Sequence, residues 1–347
     1  MADSPLPFVT VAIPARNEER HLGACLDAVL AQDYPRDRFE VLVVDGASED
    51  RTRTIAEERA ARADVPLRVV ENPRRVIPTA INAALREARG EYLVRVDAHS
   101  IPAPGYVRHA VEANLALGAD LVGAWVEPVG TTPFTRAVAA AFRSPFGTAN
   151  ATSWRRPAEP VDVASAPCGS YRVAALRAIG GYDEEQLVNE DYEANVRLRE
   201  AGGRVVLSPH VSFEYVPRDS FGGLVRQFFR YGFYRARTMA KHPSSVRPRH
   251  LAPAVALAAL AVLAVAVAAV PAAWPLLAAV AAAYAAGVAL ATARSARDAG
   301  DGWPLLLLVF PTMHVAWGLG NLLGLARWLP ARRSFGRGPT GVPAEAR

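Results

Sequence analysis

Two aspartates each close a short run of aliphatic residues, and polar residues come directly after both. Asp45 ends the run FEVLVVD and is followed by GASED, while Asp97 ends EYLVRVD and is followed by AHS. One acid in such a place can simply be the first solvated residue after a buried strand, but two of them favour a ligand site. We therefore expect Asp45 and Asp97 to contact a polar ligand at one edge of a sheet.

Strand-like and helix-like patterns alternate around these aspartates. Short apolar runs predict strands, and longer runs of mixed polarity between them predict helices. The predicted strands are residues 8–14, 39–45, 67–71 and 91–97, and the predicted helices are residues 18–32, 49–62 and 79–89. The alternation indicates an α/β fold with a mostly parallel sheet and helices on both faces. Ligands bind such sheets at the carboxyl ends of the strands, where both aspartates fall.

The pattern is less regular beyond residue 120. Strands are predicted at residues 121–126, 161–164 and 205–208, and helices at residues 173–179 and 189–201. The segment CGSYR, residues 168–172, is predicted as a loop ahead of the first of these helices. Gly169 in this segment would permit a close approach of the backbone to a ligand.

The composition changes at Leu251, where runs of Ala, Val and Leu with almost no charge begin. Residues 251–270 and 274–293 are each about long enough to cross the hydrocarbon core of a membrane. Neither stretch has a polar face, which favours a membrane hairpin over a buried helix pair in a soluble protein. A third apolar stretch, residues 303–325, contains Pro311, His314 and several glycines.

The basic residues around these stretches predict how they are oriented. By the positive-inside rule, all of them favour the cytoplasm. They are Arg247 and Arg249, then Arg294 and Arg297, and finally Arg327, Arg332, Arg333 and Arg337. A third crossing would place the last group outside, whereas a re-entrant or interfacial segment would satisfy the rule. The charges favour the second arrangement, and the first stays open.

The remaining composition indicates a cytoplasmic head on a membrane tail. The N-terminus lacks the basic residues and apolar stretch of a secretory signal. Cys25 and Cys168 have no Cys-x-x-Cys spacing, so we expect two reduced thiols in or near the core. The net charge of +5 is concentrated around the apolar tail, which suits anionic lipids better than nucleic acid. The expected location is the inner membrane of the cell, as a multi-pass protein.

Five motifs in order carry a resemblance to a known family. They are PARNEE (14–19), VVDGASEDRT (43–52), VRVDAHS (94–100), NEDYE (189–193) and RQFFRYG (226–232). Together they resemble the family 2 glycosyltransferases, and Asp-Ala-His with the apolar tail is most similar to the succinoglycan-type glucosyltransferase branch. The resemblance implies a GT-A-like fold, the Rossmann-like α/β fold of nucleotide-diphospho-sugar transferases, followed by C-terminal transmembrane helices.

The resemblance implies a divalent cation at Asp97 and His99. Transfer from a nucleotide sugar requires that the charge of the leaving diphosphate be neutralised. Asp97 and His99 stand where the family carries its Asp-x-Asp motif, so they would hold Mn²⁺ or Mg²⁺ while phosphate oxygens complete the shell. His99 departs from that motif, and it is either a ligand or only a neighbour of the phosphates.

Other donor contacts are implied along the same edge of the sheet. Asp45 would accept a hydrogen bond from the nucleotide base, and Pro14, Arg16 and Glu18 would line the same pocket. Arg75 would reach the diphosphate, although an exposed arginine at the start of a helix is often only solvated.

On the acceptor side, Asp191 matches the catalytic base of the family. It would take the proton of the attacking hydroxyl, and attack opposite the leaving group would invert the anomeric configuration. Glu190 and Asp191 would also favour the positive end of a helix without any catalytic role. The resemblance further implies that Gly169, Ser170 and Glu190 contact the acceptor.

The motif RQFFRYG resembles the Gln-x-x-Arg-Trp motif of membrane polysaccharide synthases. By that resemblance Gln227 and Arg230 approach the donor diphosphate, and Tyr231, in the place of Trp, stacks on the acceptor sugar. The same segment also has the pattern of an amphipathic basic helix lying on a membrane, and one helix can serve both purposes. The tyrosine favours a single addition over processive synthesis.

These observations predict three segments and one activity. The segments are a cytoplasmic head (1–217), a basic interface helix and linker (218–250) and a membrane domain (251–347). The expected activity is inverting, metal-dependent transfer of a hexose, by resemblance from UDP-glucose, to a polyprenyl-diphosphate-linked saccharide. Such an enzyme would act in exopolysaccharide or cell-envelope glycan synthesis, beside other assembly proteins.

Two alternatives stay open. A processive polysaccharide synthase would need a channel, which two or three apolar segments are too few to build. A catalytically silent membrane scaffold that binds nucleotide sugars would tolerate damage at Asp97 or Asp191, and both are intact.

Overall fold

The computed structural model describes residues 6–149, 151–333 and 335. By its internal contacts the chain forms two compact units. The first unit comprises the chain up to Glu127 together with Thr152–Tyr215, and the second comprises Pro128–Ala151 together with the chain from Val216 onward. Segment 128–151, which the sequence patterns placed with the head, thus groups with the C-terminal helices. The predicted segment boundaries at 217 and 250 stay predictions.

The first unit contains one eight-stranded sheet with the order β3-β2-β1-β4-β7-β5-β8-β6. In chain order the strands are β1 Val9–Ala15, β2 Phe39–Asp45, β3 Leu67–Glu71, β4 Tyr92–Arg95, β5 Leu121–Pro128, β6 Val161–Asp162, β7 Gly169–Arg172 and β8 Val205–Tyr215. Strands β3, β2, β1 and β4 are parallel, as predicted. Strand β7 runs antiparallel to both β4 and β5, and β6 runs antiparallel to β8, so the sheet as a whole is mixed.

Helices cover both faces of the parallel half of the sheet. In chain order the helices are α1 Leu22–Leu30, α2 Thr52–Ala60, α3 Ile77–Glu87, α4 Tyr106–Leu117, α5 Pro133–Arg143, α6 Pro145–Thr148, α7 Val173–Ala178, α8 Glu190–Glu200, α9 Phe221–Lys241, α10 Pro248–Ala269, α11 Trp274–Ala299 and α12 Leu306–Trp328. Val43 of β2 packs into the same cluster as Leu22 of α1. Its neighbour Leu42 packs on the opposite face with Ile81 of α3. Burial on both faces explains why β1 and β2 have mostly aliphatic sequences.

The prediction of a loop at residues 168–172 is wrong, because Gly169–Arg172 forms β7 in the middle of the sheet. The sequence GSYR lacks the aliphatic or alternating pattern of a strand, and pairing with β4 on one side and β5 on the other determines its structure. Gly169 has φ +84°, and a Cβ there would overlap the carbonyl of Val122. The sequence patterns also gave no prediction for α4 and α5.

The second unit contains the apolar helices. Helices α10, α11 and α12 correspond to the three predicted apolar stretches. Two helical segments of the described residues, Pro248–Ala269 and Pro271–Trp328, are long and apolar enough to cross a membrane. Much of the apolar surface of α10 is exposed, with Val262 and Val265 both 71% accessible. Arg337, which the charge pattern also assigned to the cytoplasm, lies outside the described residues.

Helices α9 and α12 pack with their backbones in direct contact. A Cβ on Gly232 would overlap the carbonyl of Trp317, and a Cβ on Gly320 would overlap the carbonyl of Phe229. The side chain of Asn321 donates a hydrogen bond to the carbonyl of Gly232 at 3.2 Å. Gly320 and Gly324 form a small-xxx-small pair, which permits this kind of close helix packing.

We expect Gly320→Ala to destabilise the second unit, because the added methyl would meet the Phe229 backbone, which cannot move like a side chain. Overpacking of this kind costs about 1–3 kcal/mol, and thermal unfolding of the purified protein in detergent would measure it. Gly222→Ala on α9 is the matched control, since nothing lies near its Cβ position. If both variants unfolded at the wild-type temperature, the close α9–α12 contact would be wrong.

Candidate active site

The loops after β1 and β2 meet at the carboxyl edge of the parallel strands. Ala15 pairs with Asp45 at the ends of these strands. The Asn17 amide donates to the Ser48 hydroxyl at 3.0 Å, and the Glu49 amide donates to the Asn17 side chain at 2.9 Å. Asp45 is buried and accepts a hydrogen bond from the Ser48 hydroxyl at 2.6 Å. The predicted base-binding carboxylate is therefore oriented by its own loop.

Glu18 connects the loop after β1 to the loop after β4. Its carboxylate lies 3.1 Å from Nδ1 of His99, so two predicted donor-site residues are in direct contact. Among the described residues, no group of three or more His, Cys, Asp or Glu side chains is placed to hold a metal ion. The predicted pair Asp97 and His99 fits a divalent cation only if a bound diphosphate or water supplies most of its ligands.

Arg95 joins this edge of the sheet to helix α8. It is 4% exposed, its Nε lies 2.8 Å from Oδ1 of Asp97, and its Nη1 lies 3.0 Å from Oε1 of Glu190. One buried guanidinium is thus shared by two carboxylates, one from the predicted cation site and one from the predicted catalytic motif.

Sequence reasoning assigned no role to Arg95, although a signal was present. Arg95 ends a strand that is buried along its length, and it is flanked by the buried residues Val94 and Val96. A charged residue in such a strand must find a partner, because an unpaired buried charge is strongly unfavourable. What the sequence could not reveal is that one of the two partners, Glu190, comes from a helix far along the chain.

The shared guanidinium affects its two carboxylates differently. Burial alone would raise the pKa of Asp97, but the charges of Arg95 and His99 outweigh it and hold that pKa below its ordinary value. Burial raises the pKa of Glu190 to about 7, against the opposing charge of Arg95 and with a smaller contribution from Asp191. Asp97 is therefore ionised at neutral pH, as a cation ligand must be, whereas Glu190 titrates near neutrality.

Both cysteines of the chain lie against Asp97. The Cys25 thiol donates to the backbone carbonyl of Asp97 at 3.7 Å, and the Cys168 thiol hydrogen-bonds to its carboxylate. Burial raises the pKa of Cys25 to about 12 and that of Cys168 well above its usual range. These groups are protonated donors rather than thiolates, which confirms the expectation of two free thiols in the core.

Asp191, the predicted catalytic base, lies in the first turn of α8, near the start of the helix predicted at residues 189–201. Asn189 precedes the helix in the left-handed conformation, with φ 57°. Oδ1 of Asp191 accepts a hydrogen bond from the Tyr192 amide at 2.7 Å. Acids favour this end of a helix in any protein, but here the adjacent Glu190 is also bound to Arg95. The end of α8 is thereby attached to the Asp97 site.

The predicted acceptor residues Gly169 and Ser170 lie on β7, next to β4. Gly169 pairs with Arg95 in the ladder, and its amide donates to the Tyr106 hydroxyl at 3.0 Å. Ser170 is fully buried, and its hydroxyl has no hydrogen-bond partner among the described residues. The predicted contact of these two residues with an acceptor stays a prediction.

The other predicted donor residues of the first unit surround the same edge. Pro14 is near the end of β1, and Arg16 is exposed with its side chain beside Gly46. Arg75 is exposed, has φ 61°, and lies 3.6 Å from the carboxylate of Glu49. Their roles in binding a donor stay predictions.

Gln227, Arg230 and Tyr231 lie on α9 and belong to the second unit. The Gln227 amide donates to the Tyr231 hydroxyl at 3.1 Å, one helical turn away, and Arg230 is exposed. The basic face expected for this helix is only partly present, because Arg235 and Arg237 are buried. The contacts of these motif residues with donor and acceptor stay predictions.

Comparison with known proteins identifies the family. The sequence profile of Glycosyl transferase family 2 matches residues 10–180. The succinoglycan biosynthesis protein ExoA of Rhizobium meliloti (strain 1021) is 34% identical over 245 residues, which cover 70% of this chain and 73% of that protein. The chain belongs to glycosyltransferase family 2. The predicted family, its similarity to the succinoglycan-type branch and its activity as a glycosyltransferase are confirmed.

More distant relatives agree with this assignment. A dolichyl N-acetyl-alpha-D-glucosaminyl phosphate 3-beta-D-2,3-diacetamido-2,3-dideoxy-beta-D-glucuronosyltransferase of Methanococcus voltae is 22% identical over 232 residues, covering 65% of this family 2 glycosyltransferase and 72% of that protein. The mannosyltransferase PcManGT of Pyrobaculum calidifontis, solved with GDP-Man and Mn²⁺, is 25% identical with a TM-score of 0.58. That comparison covers 92% of this chain and 88% of PcManGT. The predicted GT-A-like fold is confirmed.

We expect Arg95→Met to destabilise the first unit strongly, because it leaves Asp97 and Glu190 without their shared countercharge. Removing one partner of a buried ion pair costs about 3–5 kcal/mol, which chemical unfolding would measure. Arg53→Met is the matched control, since Arg53 also bridges two carboxylates, Glu57 and Glu71, but on the surface. That change should have little effect on stability, because exposed ion pairs are screened by water. Equal losses in the two variants would contradict the role of Arg95.

The raised pKa of Glu190 predicts a pH dependence of stability. Between about pH 4.3 and 7 the folded protein keeps a proton on Glu190 that the unfolded chain releases. The folded state then binds more protons, so the contribution of Glu190 to stability falls as the pH rises through this window. Glu190→Gln cannot titrate and should lack that fall.

Free energies of unfolding from pH 4.5 to 8 would test this dependence. Glu200→Gln, at the exposed end of the same helix, should keep the wild-type profile. A Glu190→Gln profile parallel to that of the wild type would show that Glu190 has an ordinary pKa.

Proposed function

We propose that this family 2 glycosyltransferase is an inverting, divalent-cation-dependent enzyme of exopolysaccharide or cell-envelope glycan synthesis. It transfers a hexose from a UDP-sugar to a polyprenyl-diphosphate-linked saccharide at a membrane. The observation that carries the proposal is the Arg95 bridge, which fixes Asp97 and the Glu190–Asp191 motif in one rigid arrangement. A transferase needs this arrangement, because the leaving diphosphate and the attacking hydroxyl must be aligned across one carbon.

The donor would bind along the carboxyl edge of β1, β2 and β4. Asp45, held by Ser48, would accept from the nucleotide base. Asp97 and His99, with Glu18 behind the imidazole, would hold Mn²⁺ or Mg²⁺ together with the diphosphate. When bound, the cation would neutralise the negative charge that develops on the leaving group. The complex of PcManGT with GDP-Man and Mn²⁺ supports a nucleotide-diphospho-sugar and a divalent cation for this chain.

The acceptor would be activated at the start of α8. Asp191 is partly exposed, so its carboxylate can meet an acceptor hydroxyl and take the proton as the oxygen attacks. Glu190 is buried and paired, so it positions the helix end rather than serving as the base. Attack on the anomeric carbon from the side opposite the diphosphate breaks the bond to phosphate oxygen and inverts the configuration.

The apolar segments favour a lipid-linked acceptor. The Methanococcus voltae relative is named for a dolichyl-phosphate-linked sugar, and a saccharide on such a lipid stays close to the membrane surface. Helices α10 and α11 would anchor the enzyme as a hairpin in the inner membrane. Basic residues Arg247, Arg249, Arg294 and Arg297 at its base favour the cytoplasm, where nucleotide sugars are made.

A donor panel tests the proposal. Purified protein with Mn²⁺ and a lipid-linked acceptor extract would be given UDP-, GDP- and dTDP-sugars, and release of the nucleoside diphosphate would be measured. We expect turnover with a UDP-hexose, loss of activity with EDTA, and a fall of about a hundredfold or more in Asp191→Asn, the usual effect of losing a general base.

Glu200→Gln, on the exposed end of the same helix, should keep wild-type activity. Turnover only with a GDP- or dTDP-sugar would correct the donor and leave the reaction class intact. Binding of a nucleotide sugar without turnover on any acceptor would instead favour the scaffold alternative.

A further inference from the structure

The C-terminal half of α12 runs alongside α9 in the same direction. Gly320 meets Phe229, Gly324 meets Phe233, and the Trp328 ring lies 5.7 Å from the guanidinium carbon of Arg237. Residues four apart on α9 thus contact residues four apart on α12, so the two helices are parallel over this contact. The contact extends from Trp317 to Trp328, which is about 18 Å of helix at 1.5 Å per residue.

Helix α9 is too charged to lie within a bilayer. It carries five basic residues, namely Arg226, Arg230, Arg235, Arg237 and Lys241. Lysine and arginine are among the least favourable residues at the centre of a membrane helix. Because α12 is packed backbone to backbone with α9, this half of α12 must lie at the same level, outside the hydrocarbon core.

The start of α12 is fixed to α5. A Cβ on Gly302 would overlap the carbonyl of Pro133, so the two backbones touch there. Asp301 forms two hydrogen bonds of 2.8 Å with the guanidinium of Arg136. Helix α5 lies in the short segment 128–151, which leaves the first unit after β5 and returns to it at Thr152. Residues 301 and 302 must therefore be on the same side of a membrane as the first unit.

We infer that α12 does not cross the membrane but lies along the surface of the leaflet that faces the first unit. The inference rests on the membrane location proposed above. An outward stripe of apolar side chains on α12 would enter the acyl boundary of that leaflet. The stripe consists of Leu308, Val315, Leu319 and Leu323, all exposed, at spacings that keep them on one helical face.

The charges at the end of α12 fit this placement. Arg327 and Arg332 are exposed and would lie among anionic head groups, which attract basic residues. The basic groups from Arg247 to Arg332 that flank the apolar segments in the described part of the chain would then lie on the side of the first unit, as the positive-inside rule requires. Of the described helices, only the hairpin of α10 and α11 would enter the hydrocarbon core.

Cysteine labelling in sealed membrane vesicles tests the placement. Trp303→Cys and Arg332→Cys would mark the two ends of α12, and Leu115→Cys on α4 would mark the first unit, because all three positions are exposed. A membrane-impermeant maleimide would be added to inside-out and to right-side-out vesicles that contain the full chain. Wild-type protein gives the background, since Cys25 and Cys168 are buried.

We expect the maleimide to label all three cysteines in one vesicle orientation and none of them in the other. Labelling of Trp303→Cys and Arg332→Cys from opposite sides would overturn the inference and establish a third crossing. Labelling of either end only after detergent is added, in both vesicle orientations, would also overturn it, because that end would then be inside lipid. A wild-type protein absent from the membrane fraction would instead reject the membrane location itself.

Discussion

The candidate active-site edge of this enzyme depends on one buried guanidinium shared by two carboxylates. Arg95 is bound to Asp97 at 2.8 Å and to Glu190 at 3.0 Å, and a buried charge of this kind is tolerated only when its partners are held in place. The bridge fixes the distance between the loop after β4 and the first turn of α8. Burial, opposed by the charge of Arg95, raises the pKa of Glu190 to about 7, whereas the charges of Arg95 and His99 outweigh burial and hold the pKa of Asp97 below its ordinary value.

The surroundings of Arg95 show how the mixed sheet serves this site. Strand β7 pairs with β4 so that Gly169 lies beside Arg95, and only glycine fits there because the Val122 carbonyl occupies the position of a Cβ. Cys168, one residue earlier, contributes its thiol to the Asp97 carboxylate, and Cys25 contributes its thiol to the Asp97 carbonyl. The antiparallel insertion of β7 thus completes a site that the parallel strands begin.

Local patterns predicted those parts of the protein that local forces determine. Strands β2 and β3 were predicted to the residue, β2 because it is buried throughout and mostly aliphatic, and β3 from a short apolar stretch that is only partly buried. Strand β7 was missed because its sequence is polar and only its two neighbours make it a strand. The motifs placed Asp97 and Asp191 at strand and helix ends, as the structure has them. The contact of Arg95 with Glu190 joins residues 95 positions apart, so no spacing rule could have revealed it.

The placement of the apolar tail also depends on contacts between helices that local sequence patterns do not reveal. Hydropathy and charge patterns describe each helix by itself. They therefore could not decide whether residues 303–325 cross the membrane a third time or form a re-entrant or interfacial segment. The glycines of α9 and α12 bring two helices of very different polarity into backbone contact, and a helix joined in this way takes the membrane depth of its charged partner. On the proposed topology, the hairpin resists extraction from the membrane and α12 resists tilting of the second unit. With the lipid-linked acceptor proposed for this chain, both restraints would keep the enzyme at the bilayer surface where the acceptor sugar lies.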